Sequence, residues 1–219
     1  MPALHLAILL FGAAGLLGRA LPLDPLAITA GRAGIAALLL WALVLRGRRR
    51  DTGLPLPGWG WTLGAGALLA LHWSCFFDAV QQGGVPLALL SYASFPAFSL
   101  LFERLATRDT AAPAVAAAIS LTRQLMLLAL LIVGLAVLAG PDVLGSAGRL
   151  RGLGMGLAAG ASFAGLTRLN AARLERHGPL ALASAQIAGA ALWLLPISAA
   201  IQYSFEINNT YPTMDQLKC

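Results

Sequence analysis

The chain has 219 residues, of which 58% are hydrophobic and 11% are charged, and its mean hydropathy is +0.78. A soluble domain carries about 25% charged residues, so this composition excludes a soluble globular protein and predicts an integral membrane protein. The net charge of +6 does not point to a nucleic-acid partner, because the arginines lie at alternate helix ends rather than in one stripe.

Apolar stretches near the roughly 20 residues that cross a bilayer as a helix predict seven transmembrane helices. In chain order they cover residues 3–21, 26–45, 60–80, 85–102, 114–139, 152–167 and 180–201. In the fourth span, Pro86 is expected to start the helix and Pro96 to kink it. The fifth span contains Arg123, so either a long tilted helix carries this arginine to the cytoplasmic surface or residues 111–121 lie along the interface.

The distribution of arginine predicts the orientation of these spans. Nine of the twelve loop-associated arginines follow the second, fourth and sixth spans, which places them on one side of the membrane. The positive-inside rule makes that side cytoplasmic. We therefore expect a multi-pass protein of the cytoplasmic membrane with its N-terminus in the cytoplasm.

Two segments of the chain are variants of one sequence. Residues 25–41 and 179–195 align without a gap at an offset of 154 residues, and seven of the seventeen positions are identical. The copies are five predicted spans apart, and an odd number inverts the second copy. Inverted repeats are typical of secondary transporters. We predict a first five-helix repeat in 1–140, a partial second repeat in 152–200 and an atypical polar tail in 201–219.

Ionisable groups deep in the membrane are costly and mark functional sites. Arg32 and His72 both lie roughly 10–12 Å below the outer surface, from a rise of 1.5 Å per residue. Asp78 follows His72 by about one and a half turns, where it would neutralise Arg32 or form the mouth of the same cavity. We predict an aromatic-lined solute site formed by Arg32, His72, Trp73, Phe76, Asp78, Tyr92 and Gln186, the last being the repeat mate of Arg32.

Each of the two central residues also has a purely structural interpretation. Arg32 would tie helix carbonyls together instead of binding a solute anion or forming an ion-pair gate. His72 would be a hydrogen-bonded packing residue instead of a proton-coupling or solute contact. The residues alone leave these alternatives open.

Glycine recurs at helical spacing in the sixth span, where Gly152, Gly156 and Gly160 give the helix one smooth face. Gly60 and Gly64 do the same at the start of the third span. Such faces allow close packing of membrane helices. No Cys/His pair has metal-ligand spacing and no Ser/His/Asp set lies at one depth, so we expect no enzyme, no cofactor and no metal.

Several motifs together resemble the EamA-like repeat of the drug/metabolite transporter superfamily. They are a Pro-Leu start followed by Arg32, the segment HWSCFFDAV at 72–80, Phe95-Pro96-Ala97-Phe98, and Glu103-Arg104-Leu105 at the end of the fourth span. The resemblance implies a ten-helix bundle of two inverted five-helix repeats. It therefore implies a transporter that moves a small organic solute by alternating access.

The resemblance stops before helices eight to ten of such a bundle. The alternative function is therefore a non-transporting membrane scaffold or an inactive truncated transporter fragment. Without those helices, we expect the glycine face of the sixth span to be bare towards lipid. The chain would then form a homodimer through this face or be unstable.

Overall fold

A computed structural model describes residues 23–48, 56–106 and 145–210, together with single positions within 5–13 and 122–140. The first predicted span, 3–21, and the fifth, 114–139, lie almost entirely outside the described residues. Both remain predictions, as do the alternatives for Arg123 and the fifth span.

The described ranges are helical and contain no strand. In chain order the helices are α1 (Pro25–Arg48), α2 (Trp59–Gly83), α3 (Val85–Tyr92), α4 (Phe95–Ala106), α5 (Ala147–Ala171) and α6 (Leu174–Thr210). The atypical tail predicted from residue 201 begins inside α6, because that helix continues to Thr210.

Four segments of the described chain are long and apolar enough to cross a membrane. They are Pro25–Arg46, Trp59–Gly83, Val85–Leu105 and Leu174–Glu206, so α3 and α4 together form one of them. These helices confirm the all-α membrane class. The count of seven helices and the inverted-repeat layout remain predictions.

The fourth predicted span is divided at its second proline. Pro86 lies in the first turn of α3, directly after Gly84, whose φ of 82° and ψ of 161° are accessible to glycine and strained for other residues. The α3 helix ends at Tyr92, and α4 begins at Phe95 with Pro96 in its first turn. Proline lacks the N–H of a continuous helical ladder. The expectation that Pro86 starts the helix is confirmed, and in place of the expected kink at Pro96 the span has a break at residues 93–94.

The α2 helix is the centre of the described bundle, with α5 and α6 as its most extensive neighbours. It runs antiparallel to α5, because Gly83 lies beside Gly152 while His72 contacts Ala159. The α3 and α4 helices also pack against α5. The α1 helix packs mainly on α6, and both contribute small residues to a core shared with α2.

The glycine face of α5 is covered within the chain, so the expectation that it is bare towards lipid is wrong. Gly152, Gly156 and Gly160 are buried. A Cβ on Gly152 would meet the backbone of Gly83, and one on Gly156 would meet the side chain of Ser91. The face is covered by α2 and α3, which pack closely against α5. A homodimer remains a prediction, but this face does not supply its interface.

A second close approach joins α2 and α6 at a glycine pair that the sequence pattern missed. A Cβ added to Gly66 would meet the backbone of Gly189, and one on Gly189 would meet the carbonyl oxygen of Thr62. The predicted smooth residues Gly60 and Gly64 meet nothing within 4 Å among the described atoms. The close helix crossing therefore uses a different face of α2 from the predicted one.

Candidate functional site

The site-bearing segment of α2 places its aromatic residues on two neighbouring faces. Positions four apart lie on one face of a helix, so His72 pairs with Phe76 and Trp73 pairs with Phe77. The two faces are about 100° apart. As a result, one pair points towards α3 and α5, and the other lies beneath Arg32 of α1.

His72 is buried between α2 and α5. Its Nδ1 atom lies 2.9 Å from the carbonyl oxygen of Ala159, with 3% of the residue exposed. Because a carbonyl oxygen only accepts hydrogen bonds, Nδ1 carries a proton and donates it. In the neutral ring, Nε2 is then the acceptor. This bond satisfies a polar group that would otherwise be costly to bury in a membrane.

The imidazole is part of a continuous group of rings, which we call the aromatic cluster: His72, Phe76, Tyr92, Phe95 and Phe163. The centroid of the His72 ring lies 5.3 Å from that of Tyr92 and 5.1 Å from that of Phe163. The predicted proximity of His72 to Phe76 and Tyr92 is confirmed. Phe163, on α5, was missed because no local spacing connects it to α2.

Arg32 lies on an exposed side of α1, above the second aromatic pair. The carbon at the centre of its guanidinium is 4.9 Å from the ring centroid of Phe77 and 5.9 Å from that of Trp73. Both distances are within the range of a cation–π interaction. Arg32 therefore contacts one face of α2, whereas His72 lies on the neighbouring face of the same helix. The rings of Phe76 and Phe77, whose centroids are 5.6 Å apart, connect their surroundings.

Asp78 does not neutralise Arg32, and that interpretation is corrected here. Its two carboxylate oxygens accept hydrogen bonds from Arg151 of α5, at 2.9 Å from Nη2 and 3.0 Å from Nε. This is a bidentate pair, the geometry for which a guanidinium fork is suited. Arg151 directly precedes the sixth predicted span, 152–167, and belongs to the loop-associated arginines of the sequence. The antiparallel packing of α2 and α5 brings it beside Asp78.

Gln186 is buried in α6 and donates a hydrogen bond to the side-chain oxygen of Asn170, near the end of α5. Its observed partner is therefore another amide rather than one of the other predicted site residues. Among the described residues, no group of three or more His, Cys, Asp or Glu side chains is placed to hold a metal ion.

The helices and the site together define a class, a multi-pass helical membrane protein with charged and aromatic side chains inside its spans. Comparison with protein-family models gives a match to the EamA-like transporter family over residues 2–140. The chain belongs to this family. The match ends before α5 and α6. No curated protein and no solved structure matched the chain.

Proposed function

We propose that this protein moves a small organic solute across the cytoplasmic membrane by alternating access. The observation that carries the proposal is the placement of Arg32 and His72 within apolar, membrane-crossing helices. A charge at that depth costs several kcal/mol in lipid. A helix retains such a residue when it lines a pathway or binds a partner. Family membership supports the same function.

The proposed inverted repeat draws support from the two related segments. Residues 25–41 lie in α1 and residues 179–195 lie in α6, and the two helices pack against each other. Each segment starts with Pro-Leu-Ala after a non-helical residue, Asp24 in one case and Gly178 in the other. In inverted-repeat transporters, the substrate site lies between such mates near the midplane.

The proposed solute path runs along the boundary of α1 and α2. The α1 helix packs much more extensively on α6 than on α2. Arg32 lies at this looser boundary, above the rings of Trp73 and Phe77. The cation and the aromatic side chains provide groups that bind a solute. The weaker packing between α1 and α2 would let the solute enter and leave.

Flux measurements test this function directly. Purified protein in liposomes would be assayed for uptake of a panel of labelled amino acids, organic acids and amine drugs. We expect uptake of at least one class above that of empty liposomes. Arg32→Ala and His72→Ala should each lower this uptake about ten-fold or more, a loss of roughly 1.4 kcal/mol.

Matched controls come from the exposed neighbours of the two residues. Leu38→Ala on α1 and Leu71→Ala on α2 remove exposed side chains from the same helices and should keep wild-type uptake. Normal flux in both Arg32→Ala and His72→Ala at equal protein levels would contradict the site. Absence of flux for every solute in the panel would contradict transport.

A non-transporting membrane scaffold is the second candidate, and one observation favours it. His72 and Asp78 both have structural partners within the bundle, Ala159 and Arg151. In a scaffold, changes at these residues would lower stability without any solute-dependent effect. Binding of a solute that stabilises the wild-type chain would exclude this alternative.

A further inference from the structure

We propose that Arg32 binds the carboxylate of an organic solute whose apolar or aromatic body packs beside Trp73. This inference rests on the proposed transport function and names the chemistry of its solute. Arg32 is the eighth residue of α1 and lies roughly 10 Å along the helix from Pro25. That position is inside the segment Pro25–Arg46, which is able to cross a membrane.

The described contacts of the Arg32 guanidinium are with two aromatic rings, which accept no conventional hydrogen bond from its N–H groups. Phe77 and Trp73 interact with the cation through their ring faces. The five N–H donors of arginine point outwards in the plane of the group. Among the described residues, none of these donors has an acceptor within hydrogen-bonding distance.

The nearest carboxylate along α2 is already in use. Asp78 lies one residue beyond Phe77, and both of its oxygens accept hydrogen bonds from Arg151. Within the described part of the chain, no carboxylate pairs with Arg32. The guanidinium therefore has aromatic support but no counter-ion among the described residues, and a charge in that state is costly in a membrane.

The geometry of these groups selects the class of anion. A guanidinium edge presents two parallel N–H groups that match the two oxygens of a carboxylate. The ring of Trp73, which is only partly buried, extends the site with apolar surface, which favours a solute with an apolar body next to its charge. A lipid phosphate offers similar oxygens, so the experiment must separate a free solute from a lipid headgroup.

The test measures binding of phenylacetate to the full chain in nanodiscs of phosphatidylcholine. Phenylacetamide, the neutral isostere, is the matched ligand. Binding is followed by tryptophan fluorescence, since Trp73 borders the site, and independently by the melting temperature. We expect saturable binding of phenylacetate that is at least ten-fold tighter than binding of phenylacetamide, because only the carboxylate accepts a bidentate bond from arginine.

Three variants locate the binding. Arg32→Gln should weaken phenylacetate at least ten-fold, and Arg32→Lys should lie between it and the wild type, because lysine keeps the charge without the planar fork. Arg46→Gln removes the same charge near the other end of α1, where Arg46 is exposed. This control should bind phenylacetate like the wild type.

Several outcomes would overturn the proposal. One is equal binding of phenylacetate by wild type and Arg32→Gln, and another is equal binding of phenylacetate and phenylacetamide. Loss of phenylacetate binding when the protein's own nanodiscs contain phosphatidylglycerol would assign Arg32 to a lipid phosphate instead. Flux of uncharged solutes without phenylacetate binding would overturn this inference and leave transport intact. Phenylacetate binding without any flux would support the carboxylate site and contradict the proposed transport.

Discussion

The ion pair between Asp78 and Arg151 allows a quantitative prediction about how α2 is fixed to α5. The two partners differ in exposure: the side chain of Asp78 is 9% exposed and that of Arg151 is 60% exposed. Arg151→Gln therefore leaves a buried carboxylate without a cation. Asp78→Asn leaves only an arginine whose side chain is exposed. The two variants should have unequal costs.

The magnitude follows from the burial of the carboxylate. Removing one partner of a fully buried pair costs about 3–5 kcal/mol. The exposure of Arg151 reduces this figure, because an ion pair with one exposed partner contributes less than a fully buried pair. We expect Arg151→Gln to lower the free energy of unfolding by about 2 kcal/mol and Asp78→Asn to lower it by less than about 1 kcal/mol. For a chain of this length, the larger value lowers the melting temperature by roughly 4–8 °C.

The assay is thermal unfolding of the purified protein in one detergent, with both single variants and the double variant Asp78→Asn/Arg151→Gln. The double variant should be about as stable as Asp78→Asn, because no buried charge remains after the aspartate is removed. A double-mutant cycle then gives the coupling of the pair. If Arg151→Gln proves no less stable than Asp78→Asn, the argument from unequal burial is wrong.

Two further predictions concern packing and orientation. Gly66→Ala should lower the free energy of unfolding by about 1–3 kcal/mol, because its new methyl group meets the backbone of α6. The control Gly64→Ala meets no described atom within 4 Å, and equal melting temperatures of the two variants would contradict the close crossing. The topology is tested with single cysteines at Gly58 and Ser204, which are both exposed. The two native cysteines are first replaced by serine. An impermeant maleimide added outside intact cells should label the second and spare the first, and labelling of both would refute the seven-span arrangement.

The sequence was sufficient for features that depend on neighbours within one helix. Apolar runs predicted membrane helices because a bilayer demands about 20 apolar residues per crossing. The spacing of four residues predicted that Phe76 lies beside His72, since helical periodicity alone fixes that contact. The break before Pro96 was equally local, because it follows from a missing backbone donor.

Tertiary structure decided the features that depend on which helices pack together. Asp78 and Arg151 are 73 residues apart in sequence, and no periodicity connects them. The glycine face of α5 was visible in the sequence, but the pattern did not say that Ser91 and Gly83 cover it. Spacing along a helix determines which face a residue occupies, whereas the partner of that face is set by the packing of distant segments. For this reason, the sequence alone determined a membrane-helical chain with charged residues inside its spans. Only the packed bundle showed that Asp78 is neutralised by Arg151 and that Arg32 lies above aromatic rings.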